Sequence, residues 1–173
     1  MKQSAVEVSQ DLSLSLKALE QDALNRPKPM IRVGSDGEPL LQFILEQALR
    51  AGFTEATLVL HPDDAITQPF VTDWNETPTG LKMQVGWAWQ DQPLGTAHAV
   101  QCALQQDPIA ADHAFVLCNG DNVPTRQSLA RLRSEPNGQA VLAYDRDHLG
   151  LPPAKTKDFA ILEAIGNRLQ SIV

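Results

Sequence analysis

The stretch Gln84-Val85-Gly86-Trp87-Ala88-Trp89-Gln90-Asp91-Gln92-Pro93-Leu94-Gly95-Thr96-Ala97 sets the fold class. An apolar, β-like run over Gln84–Trp89 stops at polar residues, and a glycine then opens a helix that starts near Thr96. The same order recurs downstream, where Asn119-Gly120-Asp121 follows the apolar run Ala114–Cys118. Polar motifs that sit just beyond successive strands lie on one rim of a parallel sheet, the place where open α/β folds take ligands. A third motif, Arg26-Pro27-Lys28-Pro29-Met30, stands apart from any strand.

The 173 residues suffice for one well-packed domain, residues 1–173. Hydrophobic residues make up 43% and charged residues 20%, as in ordinary globular proteins, and the 12 prolines are scattered. The net charge of −7, with 14 dispersed basic residues, argues against a nucleic-acid surface or an anionic membrane surface and favours a small substrate. The N-terminus has no continuous apolar core of a signal peptide or membrane span. Cys102 and Cys118 lie in apolar contexts without CxxC spacing and read as buried, reduced thiols of a cytoplasmic protein.

Along the chain, Ser4–Val8 reads as a short first strand interrupted by Glu7. Leu12, Leu14 and Leu16 alternate as in a strand, while Leu12, Leu16 and Leu19 fit one helical face, so that segment stays open. Leu40, Ile44, Leu45, Ala48 and Leu49 form an apolar stripe that predicts a helix over Pro39–Ala51, with Gly37 before it and Gly52 as its stop. Strands are expected at Ala56–Leu60, Gln84–Trp89, Ala114–Cys118, Gln139–Tyr144 and Phe159–Leu162, with a loop-rich stretch around Pro78 and Gly80. Helices are expected at Thr96–Gln105 and around Ser128–Arg133. Gly166-Asn167 predicts a closing hairpin. Strands alternating with helices imply a largely parallel sheet covered on both faces.

Each candidate site residue has a chemical and a plain reading. Gly95 would let a planar ring approach the backbone while the Gln90 amide reads the ring edge, with amides at the helix start near Thr96 favouring phosphate; the same residues also make an ordinary turn with Thr96 as N-cap. Asp121, one glycine past a strand, can hold a Mg²⁺ bridged to substrate phosphates, which needs only one or two carboxylates; an Asx-rich turn would look the same. Lys28, between two prolines, is a cation held with little freedom beside a reacting phosphate, or part of a solvated linker. His61, His98, His113 and His148 have no metal-ligand spacing, and no nucleophile elbow or Walker loop occurs. Trp74, Trp87 and Trp89 read as packing residues, with Trp89 also next to Gln90.

Taken in order, Arg26 through Gly34, Pro39-Leu40-Leu41 with Ala51-Gly52-Phe53, Pro93 through Ala99, and Asn119-Gly120-Asp121-Asn122 resemble the sugar-1-phosphate nucleotidyltransferases along most of the chain. The resemblance implies a three-layer α/β/α, Rossmann-like fold with a mostly parallel sheet. It implies the reaction of a nucleoside triphosphate with a sugar 1-phosphate to give a nucleotide sugar and pyrophosphate, with Mg²⁺. Carried onto matching positions, Lys28 contacts the reacting phosphates, Gln90, Gly95 and Thr96 bind the nucleotide, and Asp121 holds the metal.

The sequence departs from that family in two ways. Family members open with a strand and a Gly-rich loop ending in Arg; in register, Asp11 stands where Gly is usual and Ser15 where Arg is usual. A carboxylate facing a triphosphate at about 4 Å opposes it by roughly 1 to 4 kcal/mol, depending on dielectric, and loss of a bidentate Arg adds to that. The chain also ends before the family's Glu-Lys-Pro motif and sugar-binding segments, so it is expected to be a truncated or expressed piece lacking the sugar-binding part. The alternative expectation is a catalytically inactive descendant acting as a nucleotide-binding or oligomerising module, self-associating as a homo-oligomer through an exposed sheet edge. A glycosyltransferase reading has only Asp145-Arg146-Asp147 in its favour, and that triplet lies outside the four-motif register.

Overall fold

In the computed structural model the described residues are 16–106, 113–135, 139–156 and 159–173. The first-strand segment Ser4–Val8, and with it Asp11 and Ser15, lies outside them. The chain divides into two compact units, one up to Ser134 and one from Glu135 onward.

In the first unit, α1 is helical over residues 16–25, and a single 3₁₀ turn follows at Lys28–Met30. Helix α2 spans Leu40–Arg50 and buries Leu41, Ile44 and Leu45, one stripe at helical spacing. It stops as expected: Gly52 N–H donates to Leu49 O at 2.9 Å and Phe53 N–H to Ala48 O at 3.1 Å, the paired bonds of a Schellman end. Strand β1 (Glu55–Leu60) lies parallel to β2 (Gln84–Trp89), in register from Glu55 opposite Gln84 to Leu60 opposite Trp89.

The crossover between them holds α3 (Thr67–Glu76), for which no element was expected, and a 3₁₀ turn at Gly80–Lys82, within the stretch expected to be loop-rich. Pro69 hid the helix, yet in a first turn its missing N–H costs nothing. Asp64 nucleates it by accepting from the Ile66 N–H at 3.0 Å, the Thr67 N–H at 2.8 Å and the Thr67 hydroxyl at 2.6 Å. Helix α3 also closes the outer edge of β2: Asn75 donates from Nδ2 to Val85 O at 2.8 Å, and its Oδ1 accepts from Val85 N–H at 3.1 Å. One side-chain amide thus replaces a neighbouring strand at a buried position. Met30, Leu41, Leu45, Val71, Trp74, Met83 and Val85 form the core at this junction, with Phe53, Leu58, Phe70 and Trp87 packed around it.

Helix α4 (Thr96–Gln106) packs on both strands, and α5 (Arg126–Arg133), capped by the Thr125 hydroxyl, packs on α2. Ala114–Cys118 is not a strand. Its β-type residues favour extended backbone, but a ladder needs a partner in register, and among the described residues none pairs with it. Phe115 and Leu117 are accordingly 55% and 53% exposed. Cys118 is exposed for the same reason, contrary to the buried thiol expected; Cys102 is half-buried, and both are free.

In the second unit, Gln139–Tyr144 likewise forms no strand. Arg146–His148 makes a 3₁₀ turn, α6 spans Pro153–Thr156, and β3 (Leu162–Ile165) pairs antiparallel with β4 (Arg168–Ile172) around the predicted turn Gly166-Asn167. The strand expected at Phe159–Leu162 begins only at Leu162, although Ile161 and Val173 exchange both backbone hydrogen bonds. The fold is mixed α/β, with a short parallel sheet and an antiparallel hairpin.

Candidate functional site

The two proline-flanked and glycine-flanked motifs meet. Lys28 opens a 3₁₀ turn whose entry is fixed by Pro27 and Pro29, and its Nζ lies 3.2 Å from Asp121 Oδ2. Gly120 makes the approach feasible, because a Cβ there would fall 2.8 Å from Pro29 Cγ in a ring that cannot swing away. The Lys28 and Asp121 side chains are 76% and 41% exposed. An ion pair this open contributes about 0–1 kcal/mol to stability, so the arrangement leaves both charges available to a ligand.

A lower layer supports Lys28. Asp22 on α1 is buried and accepts from Arg32 Nε and Nη2, both at 2.8 Å, and from Arg32 N–H at 3.0 Å, with Arg26 Nε at 3.5 Å. The hydrogen bonds from the Arg32 side chain and backbone hold the Asp22 carboxyl well below the usual carboxylate range, and they outweigh its desolvation. The guanidinium of Arg32 is raised in turn. The segment carrying Lys28 is thereby clamped at both ends, between Asp22 and the Arg32–Pro39 bridge.

The second cluster stands at the carboxyl end of β2. Gln90 continues the ladder, its N–H donating to Leu60 O at 2.8 Å. Its Nε2 donates to Gly95 O at 3.2 Å and lies 3.0 Å from His98 Nδ1. Gly95 has φ +95°, a conformation that favours glycine, and a Cβ there would meet nothing within 4 Å. Its carbonyl also accepts from Ala99 N–H at 3.1 Å as α4 begins, and Thr96 is the first residue of that helix. His98 was not singled out by sequence reading. The available signal was helix direction: side chains in a first turn lean toward the N-terminus, here toward Gln90.

Lys28 thus joins Asp121, and Gln90 joins Gly95 and His98; among the described residues no hydrogen bond or ion pair links the two groups. Asp145 is a local cap, accepting from Asp147 N–H at 3.0 Å and lying 2.8 Å from His148 Nδ1, so its triplet is used within its own turn. A shallow concavity of about 220 Å³, lined by Gln42, Glu46, Phe70, Asp73, Trp74, Thr77 and Thr79, contains none of the predicted site residues. Trp74 is a core residue, whereas Trp87 and Trp89 stack edge to face with centroids 6.4 Å apart.

No group of three His, Cys, Asp or Glu side chains that could cage a metal occurs among the described residues. Asp121 nonetheless suits Mg²⁺, which keeps water and takes phosphate oxygens alongside one or two carboxylates. No helix among the described residues is long and apolar enough to cross a membrane.

A parallel β–helix–β unit with polar residues just past each strand, and a lysine and a carboxylate brought together from distant motifs, define a mixed α/β protein with an exposed charged pair. The family model described as Nucleotidyl transferase matches residues 23–142, and the chain belongs to that family. The match bears out the resemblance read from the four motifs. No curated protein and no solved structure matches.

Proposed function

We propose that this chain is a nucleotidyltransferase domain that joins a nucleoside triphosphate to a sugar 1-phosphate, built on a three-layer α/β/α, mostly parallel sheet. In the reaction an oxygen of the sugar phosphate forms a bond to the α-phosphorus, the bond from that phosphorus to the bridging oxygen breaks, and pyrophosphate leaves. The observation that carries the reading is Lys28 Nζ at 3.2 Å from Asp121 Oδ2, two motif residues 93 positions apart.

Each residue has a role its chemistry suits. Lys28 neutralises charge on the reacting phosphates from a segment held by two prolines. Asp121 would hold Mg²⁺, which supplies Lewis-acid neutralisation of the triphosphate when bound. Gln90 reads the base edge, and the open backbone at Gly95 and Thr96 receives the ring and the phosphate side.

The test is pyrophosphate release with a panel of nucleoside triphosphates and sugar 1-phosphates in the presence of Mg²⁺. Release that depends on both substrates supports the reading; no release above a Lys28→Ala control removes the catalytic claim. Nucleotide binding without turnover would favour a non-catalytic binding module, the reading that Asp11 and Ser15 motivate.

A further inference from the structure

The Gln90 amide has two N–H donors, and both are spent inside the protein: one on Gly95 O at 3.2 Å, the other on His98 Nδ1 at 3.0 Å. Gly95 O can only accept, which fixes the amide with nitrogen toward the helix. His98 Nδ1 must then accept as well, so the neutral imidazole carries its proton on Nε2, which faces Cys102 Sγ at 3.7 Å. The one polar side-chain atom of Gln90 left over is Oε1, with no hydrogen-bond partner among the described residues. His98 is half-buried and Gln90 likewise, so the lock sits at the margin between core and site.

We propose that His98 is a positioning residue for base recognition: it holds the Gln90 amide with its oxygen presented to an N–H donor on the base edge, and protonation of the imidazole undoes this. A protonated ring has a donor at both nitrogens, so Nδ1 then opposes the Gln90 NH₂ group. The amide turns over, its oxygen taking the His98 N–H at the loss of the Gly95 bond, or it swings away from both; in either case its oxygen is no longer held toward the base.

Among the described residues few other charges lie on the elements packed against His98. Cys102 lies on its own helix; β2 carries no titratable side chain; β1 carries only Glu55, at the end opposite Leu60. In the loop after β1, His61 and Asp63 pair at 3.5 Å, and Asp91 follows Gln90 with its side chain exposed.

The inference rests on Gln90 reading the base, so its test has one arm without nucleotide. Nitrogen-15 NMR of the free chain is expected to place the His98 proton on Nε2 at about pH 8, and to move the Gln90 side-chain amide signals together with His98 as the pH falls to about 5. Calorimetry with Mg²⁺ and nucleoside triphosphates is the second arm. Affinity should fall roughly three- to tenfold over that range, the worth of one hydrogen bond. His98→Asn offers an acceptor that does not titrate; it should keep the affinity at about pH 8 and lose that part of the pH dependence. The proposal is overturned if His98→Asn keeps the wild-type pH profile, or if the Gln90 signals ignore His98. Coupled NMR signals with no nucleotide binding at any pH would instead sink the nucleotide reading, and would overturn the positioning role by leaving His98 a structural lock.

Discussion

Lys28 and Asp121 stand 93 residues apart in sequence and 3.2 Å apart in space, joined as Lys28 Nζ to Asp121 Oδ2. Two short motifs that each read equally well as a linker or a turn become a single charged feature once the chain folds. Gly120 permits that meeting, because a Cβ there would fall 2.8 Å from Pro29 Cγ.

Gly120→Ala should separate the two motifs while leaving the fold. The added methyl would overlap Pro29, so the turn must back away and the ion pair open. Nucleotide binding should weaken while the unfolding midpoint hardly moves, since an exposed pair contributes at most about 1 kcal/mol. Calorimetry beside thermal melts checks both halves.

Asn75→Ala should be costly for a surface-adjacent polar residue. It removes the partner of both Val85 backbone groups, and Val85 is only 2% exposed. Leaving a buried donor or acceptor unpaired costs about 1–3 kcal/mol per group. With two groups left unpaired, urea unfolding should show a loss of about 2–6 kcal/mol, with self-association if the opened edge of β2 recruits another chain.

Met83→Ala and Leu81→Ala should differ sharply although only one residue separates them. Met83 is fully buried and Leu81 is 78% exposed. The first should lose about 2–5 kcal/mol by transfer and cavity formation, the second within about 0.5 kcal/mol. Equal losses would contradict the core described above.

Acid should unfold the domain partly through Asp22. Arg32 depresses its folded-state carboxyl well below the unfolded value of about 3.9. A depressed acid stabilises the fold above the unfolded value, and the contribution is lost as pH falls below about 4 toward the folded value. Asp22→Asn should be less stable at neutral pH and show a flatter acid limb in melts recorded across pH.

Local pattern carried much of this fold. The stripe Leu41, Ile44, Leu45 and the stop at Gly52 gave α2; apolar runs gave β1 and β2; Gly166-Asn167 gave the hairpin. What failed was non-local or masked by one residue. Ala114–Cys118 has the composition of a strand, but pairing depends on a distant partner that no local pattern reveals. Helix α3 was obscured by Pro69, although Asp64 and the spacing of Phe70, Val71 and Trp74 were present.

The site divides along the same line. Lys28, Gln90, Gly95, Thr96 and Asp121 were legible as residue types beside strands and turns. Their pairings were not, because the Lys28–Asp121 contact spans most of the first unit and the Gln90–His98 contact depends on where helix α4 starts. Composition could not have exposed His98, whose importance lies in a hydrogen bond to another side chain.

The most direct measurement is titration of nucleoside triphosphate, with and without Mg²⁺, into the chain and into Lys28→Ala and Asp121→Ala. Binding should need both residues, with Asp121→Ala abolishing the dependence on Mg²⁺. Unchanged binding in the two variants, or no binding to the unaltered chain, would contradict this.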